Sequence, residues 1–183
     1  MASIIGVETL QHTNGTTAME IDSSGIVTMA NTVMYDTYRL TSDHTTTSTM
    51  TAWEQPDDAM AATVGDSMSV SSGIFTFPRT GIYRIAFKAN ITNASGDNVT
   101  SVELSGTTND STYDLLVYSW AGGNNTGVSE YGTAYGEAVV NITDTSNCKI
   151  KLNAGSLTSP SVVHGNTDYN STYISFQYLA PST

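Results

Sequence analysis

Gly73-Ile74-Phe75-Thr76-Phe77-Pro78-Arg79-Thr80-Gly81-Ile82-Tyr83-Arg84-Ile85-Ala86-Phe87-Lys88-Ala89-Asn90 carries the strongest periodic signal in this chain of 183 residues. Phe75 and Phe77 fall on one face of an extended segment. Pro78-Arg79-Thr80-Gly81 supplies turn chemistry, because proline fixes φ and glycine is free to take φ > 0. Beyond it Tyr83, Ile85, Phe87, Ala89 and Ile91 alternate with Arg84, Ala86, Lys88 and Asn90. That is period two, the mark of a half-buried strand. The spacing predicts a hairpin whose aromatic faces meet in a core.

Outward from that unit the same grammar repeats. Val33–Leu40, Met68–Ser71, Val99–Leu104, Tyr113–Trp120, Tyr131–Ile142, Lys149–Leu152 and Tyr173–Leu179 read as strands. Val102 and Leu104 point inward, as do Ala138, Val140 and Ile142. Residues 41–66 read as loop, Thr107-Thr108-Asn109-Asp110 as a turn and Gly122–Gly127 as a surface loop. Many short strands between Gly, Asn and Ser turns, without an amphipathic helix, predict an all-β antiparallel sandwich or jelly roll. Tyr113–Trp120 is apolar on both faces. Leu115 and Val117 fit the sandwich core, which leaves Leu116, Tyr118 and Trp120 in water. Burying such a side chain is worth roughly 1.5–3 kcal/mol, so this second face is expected to be a subunit interface.

Charge and cysteine content exclude several classes. The formal net charge is -11, from 6 basic and 17 acidic residues. The basic residues, Arg39, Arg79, Arg84, Lys88, Lys149 and Lys151, are scattered. No basic patch is available to neutralise phosphates or meet an anionic bilayer, so neither nucleic acid nor membrane is an expected partner. Cys148 is the single cysteine, so no intrachain disulfide forms. Its spacing with Ile150 and Leu152 makes it a buried strand residue. The first residues lack a basic, then apolar, leader pattern, and no apolar run reaches the length of a membrane span.

Residues 1–32 differ from the rest. Two short extended pieces are punctuated by Asn14-Gly15, a hairpin signal, and by Ser23-Ser24-Gly25. Leu10, Met19, Ile21 and Ile26 are too few to make a core, and an isolated hairpin is marginal in water. This segment is expected to be an extended arm that attaches to another surface through those four residues. The chain is thus read as an arm, 1–32, and one β domain, 33–183.

Gly-x-Phe-x-Phe-Pro-x-x-Gly-x-Tyr-x-Ile-x-Phe at 73–87 resembles the central signature of the C1q/TNF-like domain. Ser171-Thr172-Tyr173-Ile174-Ser175-Phe176-Gln177-Tyr178-Leu179 is similar to that family's last strand. The resemblance spans roughly residues 33–181 and implies a ten-stranded jelly roll that assembles as a trimer. Asp144-Thr145-Ser146-Asn147-Cys148 stands where the family has a Gly-Asp turn, so loop functions do not carry over. In the arm, Leu10-Gln11-His12-Thr13-Asn14-Gly15-Thr16-Thr17-Ala18-Met19 with Ile21-Asp22-Ser23-Ser24-Gly25 resembles a segment of tailed-phage structural proteins, where it precedes a C1q-like head. That resemblance implies a virion protein.

No motif for enzymatic chemistry stands out. There is no phosphate-binding Gly-rich loop with its lysine and no His-Glu-x-x-His. His12, His44 and His164 are far apart in sequence and read as ordinary turn or surface residues. Asp57-Asp58 reads as a solvated acidic loop, with a Ca²⁺ site as the sharper alternative. Trp53, Trp120 and the tyrosines read as core or interface, with a sugar-stacking surface as the alternative. The expectation is a non-enzymatic virion protein without a cofactor. It is a homotrimeric capsid decoration protein on the capsid surface, with the major capsid protein as partner and Leu116, Tyr118 and Trp120 between subunits. The competing placement is a short tail or head fibre whose jelly roll binds a host glycan. A glycan-acting enzyme is a third class without a supporting constellation.

Overall fold

The computed structural model describes residues 9–11, 13, 17–21, 23–29, 33–123 and 127–183. These hold fourteen strands and no helix. In chain order they are β1 Thr9–Gln11, β2 Thr17–Ile21, β3 Val27–Met29, β4 Tyr35–Leu40, β5 Trp53–Glu54, β6 Ser69–Ser71, β7 Ile74–Thr76, β8 Gly81–Asn93, β9 Val99–Thr107, β10 Asp114–Gly122, β11 Glu130–Ile142, β12 Lys149–Gly155, β13 Val162–Val163 and β14 Tyr173–Ala180. The chain divides into two compact units, Met1–Thr32 and Val33–Thr183.

The smaller unit is a three-stranded antiparallel sheet in the order β1-β2-β3, with Leu10 opposite Met19 and Ile21 opposite Val27. The third strand corrects the expectation of two extended pieces. Val27 follows Ile26 directly, so the segment lacks alternation, and its pairing with β2 decides its conformation. Asn14-Gly15 and His12 lie outside the described residues.

The larger unit is a sandwich of two antiparallel sheets. One runs β10-β9-β12-β7-β6, and the other β11-β8-β14-β4-β5 with β13 also paired to β8. Alternation explains the core. Tyr83, Ile85, Phe87 and Ala89 on β8 are wholly buried, as are Val102 and Leu104 on β9 and Ile174 and Phe176 on β14. Cys148 is buried beside them with Ile150 and Leu152. Phe75 is the aromatic hub. Its ring centroid lies 5.2 Å from Tyr38, 5.7 Å from Trp53 and 5.1 Å from Phe176. Trp53 is half-buried against this core, its Nε1 donating to the Met50 carbonyl at 2.7 Å.

The stretch from Gly73 to Asn90 is not a hairpin. β7 pairs with β6 and β12, whereas β8 pairs with β11, β13 and β14. Pro78–Gly81 is the corner where the chain leaves one sheet for the other. The aromatic faces do meet, but across the sandwich, with Phe77 and Tyr83 at 4.8 Å. A Cβ on Gly81 would run into the Tyr178 ring, so this corner needs glycine for close approach. Arg79 lies over that ring, 4.1 Å from its centroid.

The two sheets also come together along one side. Four successive inward positions of β11, before Val140 and Ile142, are small: Gly132, Ala134, Gly136 and Ala138. A Cβ on Gly132 would stand 2.6 Å from the Ala121 Cβ, and one on Gly136 2.6 Å from a methyl of Val117. Edge strand β10 therefore packs tightly on edge strand β11.

Candidate functional site

Three surfaces carry the side chains singled out above. The first is the outward face of β10. A β-bulge falls between Leu115, paired with Ser105, and Val117, paired with Leu104. The bulge overturns simple alternation. Leu115 is 54% exposed and joins Tyr118 and Trp120 on the outward face, rather than the core. Val117 does pack on the core. Leu116 turns the other way, over Gly106 and toward Ile150, into a cleft of about 130 Å³ that also touches Val140 and Cys148. Tyr118 and Trp120 stay in solvent with ring centroids 5.5 Å apart. The apolar row is thus Leu115, Tyr118 and Trp120, with Leu116 on the opposite side.

The second surface is the outward face of the β11-β8-β14-β4 sheet. Register places Val139, Arg84, Gln177 and Tyr35 in one row across it, and Tyr135, Lys88, Tyr173 and Arg39 in another. Tyr35, Tyr135, Val139 and Leu179 are exposed. Arg84 pairs with Glu137, whose Oε2 also accepts the Tyr135 hydroxyl at 2.8 Å. That hydroxyl, and then the guanidinium, hold the Glu137 carboxyl below its usual range. The sequence does mark this face. Tyr131, Tyr135 and Val139 recur every fourth residue on the outward side of β11, an apolar pattern overlooked beside the inward one.

Under β4 the same face is closed by a buried guanidinium capped by three partly exposed carboxylates. Arg39 is wholly buried; its Nε donates to Glu54 at 2.8 Å, Nη1 to Asp58 at 2.7 Å and Nη2 to Asp57 at 2.5 Å. Asp57 and Asp58 are exposed, as a solvated acidic loop is, and they also cap a guanidinium, which stands in place of the Ca²⁺ alternative. Among the described residues no group of three or more His, Cys, Asp or Glu side chains is placed to hold a metal ion.

The third surface is a cleft of about 510 Å³ at the end of this sheet, lined by Asn90 of β8, Tyr131 and Thr133 of β11, and His164, Tyr169 and Ser171 of the chain leading into β14. Thr133 Oγ1 donates to Asn90 Oδ1 at 3.3 Å, and Asn90 Nδ2 donates to Ser171 Oγ at 3.4 Å. The pairing of His44 with Val163 brings together residues far apart in sequence. Thr92 Oγ1 lies 2.6 Å from His164 Nε2, and His164 Nδ1 lies 3.4 Å from Asp43 Oδ1. A hydroxyl, an imidazole and a carboxylate in that order resemble a nucleophilic relay. The Gly165 N–H beside it donates to Asp43 at 3.0 Å and so is not aimed at a substrate carbonyl, as an oxyanion hole demands. The relay holds the loop that walls the cleft.

In the smaller unit Leu10, Ile26 and Val27 are more than half exposed, and Met19 and Ile21 are half-buried.

No family profile matches the sequence, and no curated protein matches it. Solved structures do. Eiger TNF from S. frugiperda superposes with a TM-score of 0.63 at 11% identity, covering 84% of this chain and 96% of that one. Murine APRIL at pH 5.0 superposes with a TM-score of 0.60 at 11% identity, covering 80% and 99%. The fold is a TNF-like jelly roll.

Proposed function

We propose that this chain is a non-enzymatic phage virion protein, a homotrimeric capsid decoration protein that rides on the capsid surface by its N-terminal unit. The observation that carries the attachment is the smaller sheet. Three short strands leave Leu10, Ile26 and Val27 in solvent, apolar side chains that contact with another surface would bury. The resemblance of residues 10–25 to tailed-phage structural proteins supports the major capsid protein as that surface.

Symmetry supports the trimer. A closed ring of three requires a heterologous contact, in which two different patches of each subunit meet. The jelly roll presents two such patches, the Leu115–Tyr118–Trp120 row and the Tyr35–Val139–Leu179 face. We assign the first of one subunit to the second of the next. Leu116, expected in the contact, would instead support it from beneath. Static light scattering on the full chain is expected to give a trimer that persists in high salt, and a monomer at micromolar concentration overturns the assignment. Deleting residues 1–32 is expected to leave that trimer intact while abolishing binding to undecorated capsids. A truncated trimer that still coats capsids removes the arm from the mechanism. Copy number separates the two placements: hundreds per particle for decoration, a handful at the tail for a fibre.

A further inference from the structure

We propose that the cleft between Tyr131 and Tyr169 is a binding site for a short neutral oligosaccharide. It does not depend on the capsid assignment, since the site lies in the jelly roll and serves equally on a shell or a fibre.

Four observations converge. First, the cleft of about 510 Å³ falls within the size range of small-ligand sites, about 300–1,000 Å³. Second, two aromatic rings stand free at it: Tyr131 is 84% exposed and Tyr169 60%. A phenol ring offers a flat apolar face for the axial C–H groups of a pyranose and a hydroxyl for hydrogen bonding. Third, Thr133, Asn90 and Ser171 form one hydrogen-bonded row. Such groups both donate and accept, which matches sugar hydroxyls. Fourth, none of the lining residues is lysine or arginine, Asp43 lies behind His164, and the chain carries a net charge of -11. Phosphate, sulfate and sialic acid would meet no lysine or arginine there, and the one basic lining side chain, His164, is turned to Thr92 and Asp43, which favours uncharged sugars.

The walls are held by the fold. His164 is fixed by the Asn90 carbonyl, which accepts its N–H at 2.8 Å, and by Thr92 and Asp43 on its ring. Ser171 is buried, its N–H bonded to the Tyr169 carbonyl at 2.9 Å. The polar row is thus preorganised, and little ordering opposes binding. The cleft also lies at the far end of β11 from Val139, roughly 27 Å away along the strand, so the proposed subunit contact leaves it open. Three copies on one trimer would turn weak single-site affinity into avidity.

The test is the full-length protein on an array of immobilised neutral hexose and N-acetylhexosamine oligosaccharides, with sialylated and sulfated glycans alongside, followed by calorimetric titration of the best neutral one. Binding to neutral glycans is expected. Tyr131→Ala and Tyr169→Ala are each expected to weaken it by about tenfold, with unchanged near-ultraviolet circular dichroism because both rings are exposed. Met60→Ala, exposed and outside both the cleft and the proposed subunit contact, is expected to leave it unchanged. Binding confined to the acidic glycans, binding unaltered in the double tyrosine variant, or no binding at all each overturns the proposal.

Discussion

Leu115→Asp and Leu116→Asp differ by one position and should have opposite consequences. Leu116 is 41% exposed, so roughly three-fifths of it is packed over Gly106 and against Ile150. Full burial of a leucine contributes about 1.5–3 kcal/mol, so this contact contributes about 1–2 kcal/mol. A carboxylate there would also lose part of its water against apolar neighbours, costing about 1–2 kcal/mol more. The total, about 2–4 kcal/mol, corresponds to a fall in Tm of roughly 4–16 °C for a domain of this size. Leu115 is 54% exposed on the outward face, and the same arithmetic gives its replacement a smaller cost to the isolated subunit, about 0.7–1.4 kcal/mol, without the apolar desolvation. Leu115→Asp should instead break the trimer, by placing a charge in the proposed contact. Thermal unfolding followed by circular dichroism reads the first effect, and light scattering reads the second. If Leu115→Asp lowers Tm as far as Leu116→Asp, or Leu116→Asp leaves Tm unmoved, the bulge does not orient these side chains as described.

Arg39→Met should cost about 2 kcal/mol, less than the roughly 3–5 kcal/mol usual for a broken buried pair, because Glu54, Asp57 and Asp58 keep contact with water once the guanidinium is gone. Denaturant titration measures it, and an unchanged midpoint would show the cluster to be idle. Tyr38 gives a signature at high pH. Burial, and then the neighbouring Asp36 charge, push its phenol from about 10 up to about 12. The folded state therefore keeps a proton that the unfolded chain releases, and the stability this contributes is present below pH 10 and lost as pH rises toward 12. Tyr38→Phe should flatten that part of the pH–stability curve; equal slopes for both proteins would remove Tyr38 as the cause.

Much of the fold was legible because alternation reports burial directly. The inward Tyr83, Ile85, Phe87 and Ala89 of β8, Val102 and Leu104 of β9 and Ala138, Val140 and Ile142 of β11 were assignable from period two. Alternation cannot report which sheet a strand belongs to. Phe75–Phe77 and Tyr83–Phe87 face one core from opposite sheets, and that pattern is the same as for neighbours in one sheet. Nor does it register an inserted residue, which is why Leu115 and Leu116 were exchanged. Arg39 gave no local sign of its cap, since its three carboxylates lie some fifteen to nineteen positions later. The cleft was the least legible. Asn90, Tyr131 and His164 meet only through strand register and the pairing of His44 with Val163, long-range facts with no local sequence signature.

The tight packing of β10 on β11 has a consequence for how this protein can fail. An open sheet edge is a template for another strand, and a surface crowded with copies of one chain is where such templating runs away. These two long edges face each other closely, leaving little room for a foreign strand to add. The opposite edges, β5 and β6, are only two and three residues long. Contact between jelly rolls is thereby steered to side chains, whose reach is finite and whose geometry can close. Such a unit can be packed densely without seeding fibrils, and the glycines at 132 and 136 are part of what keeps it so.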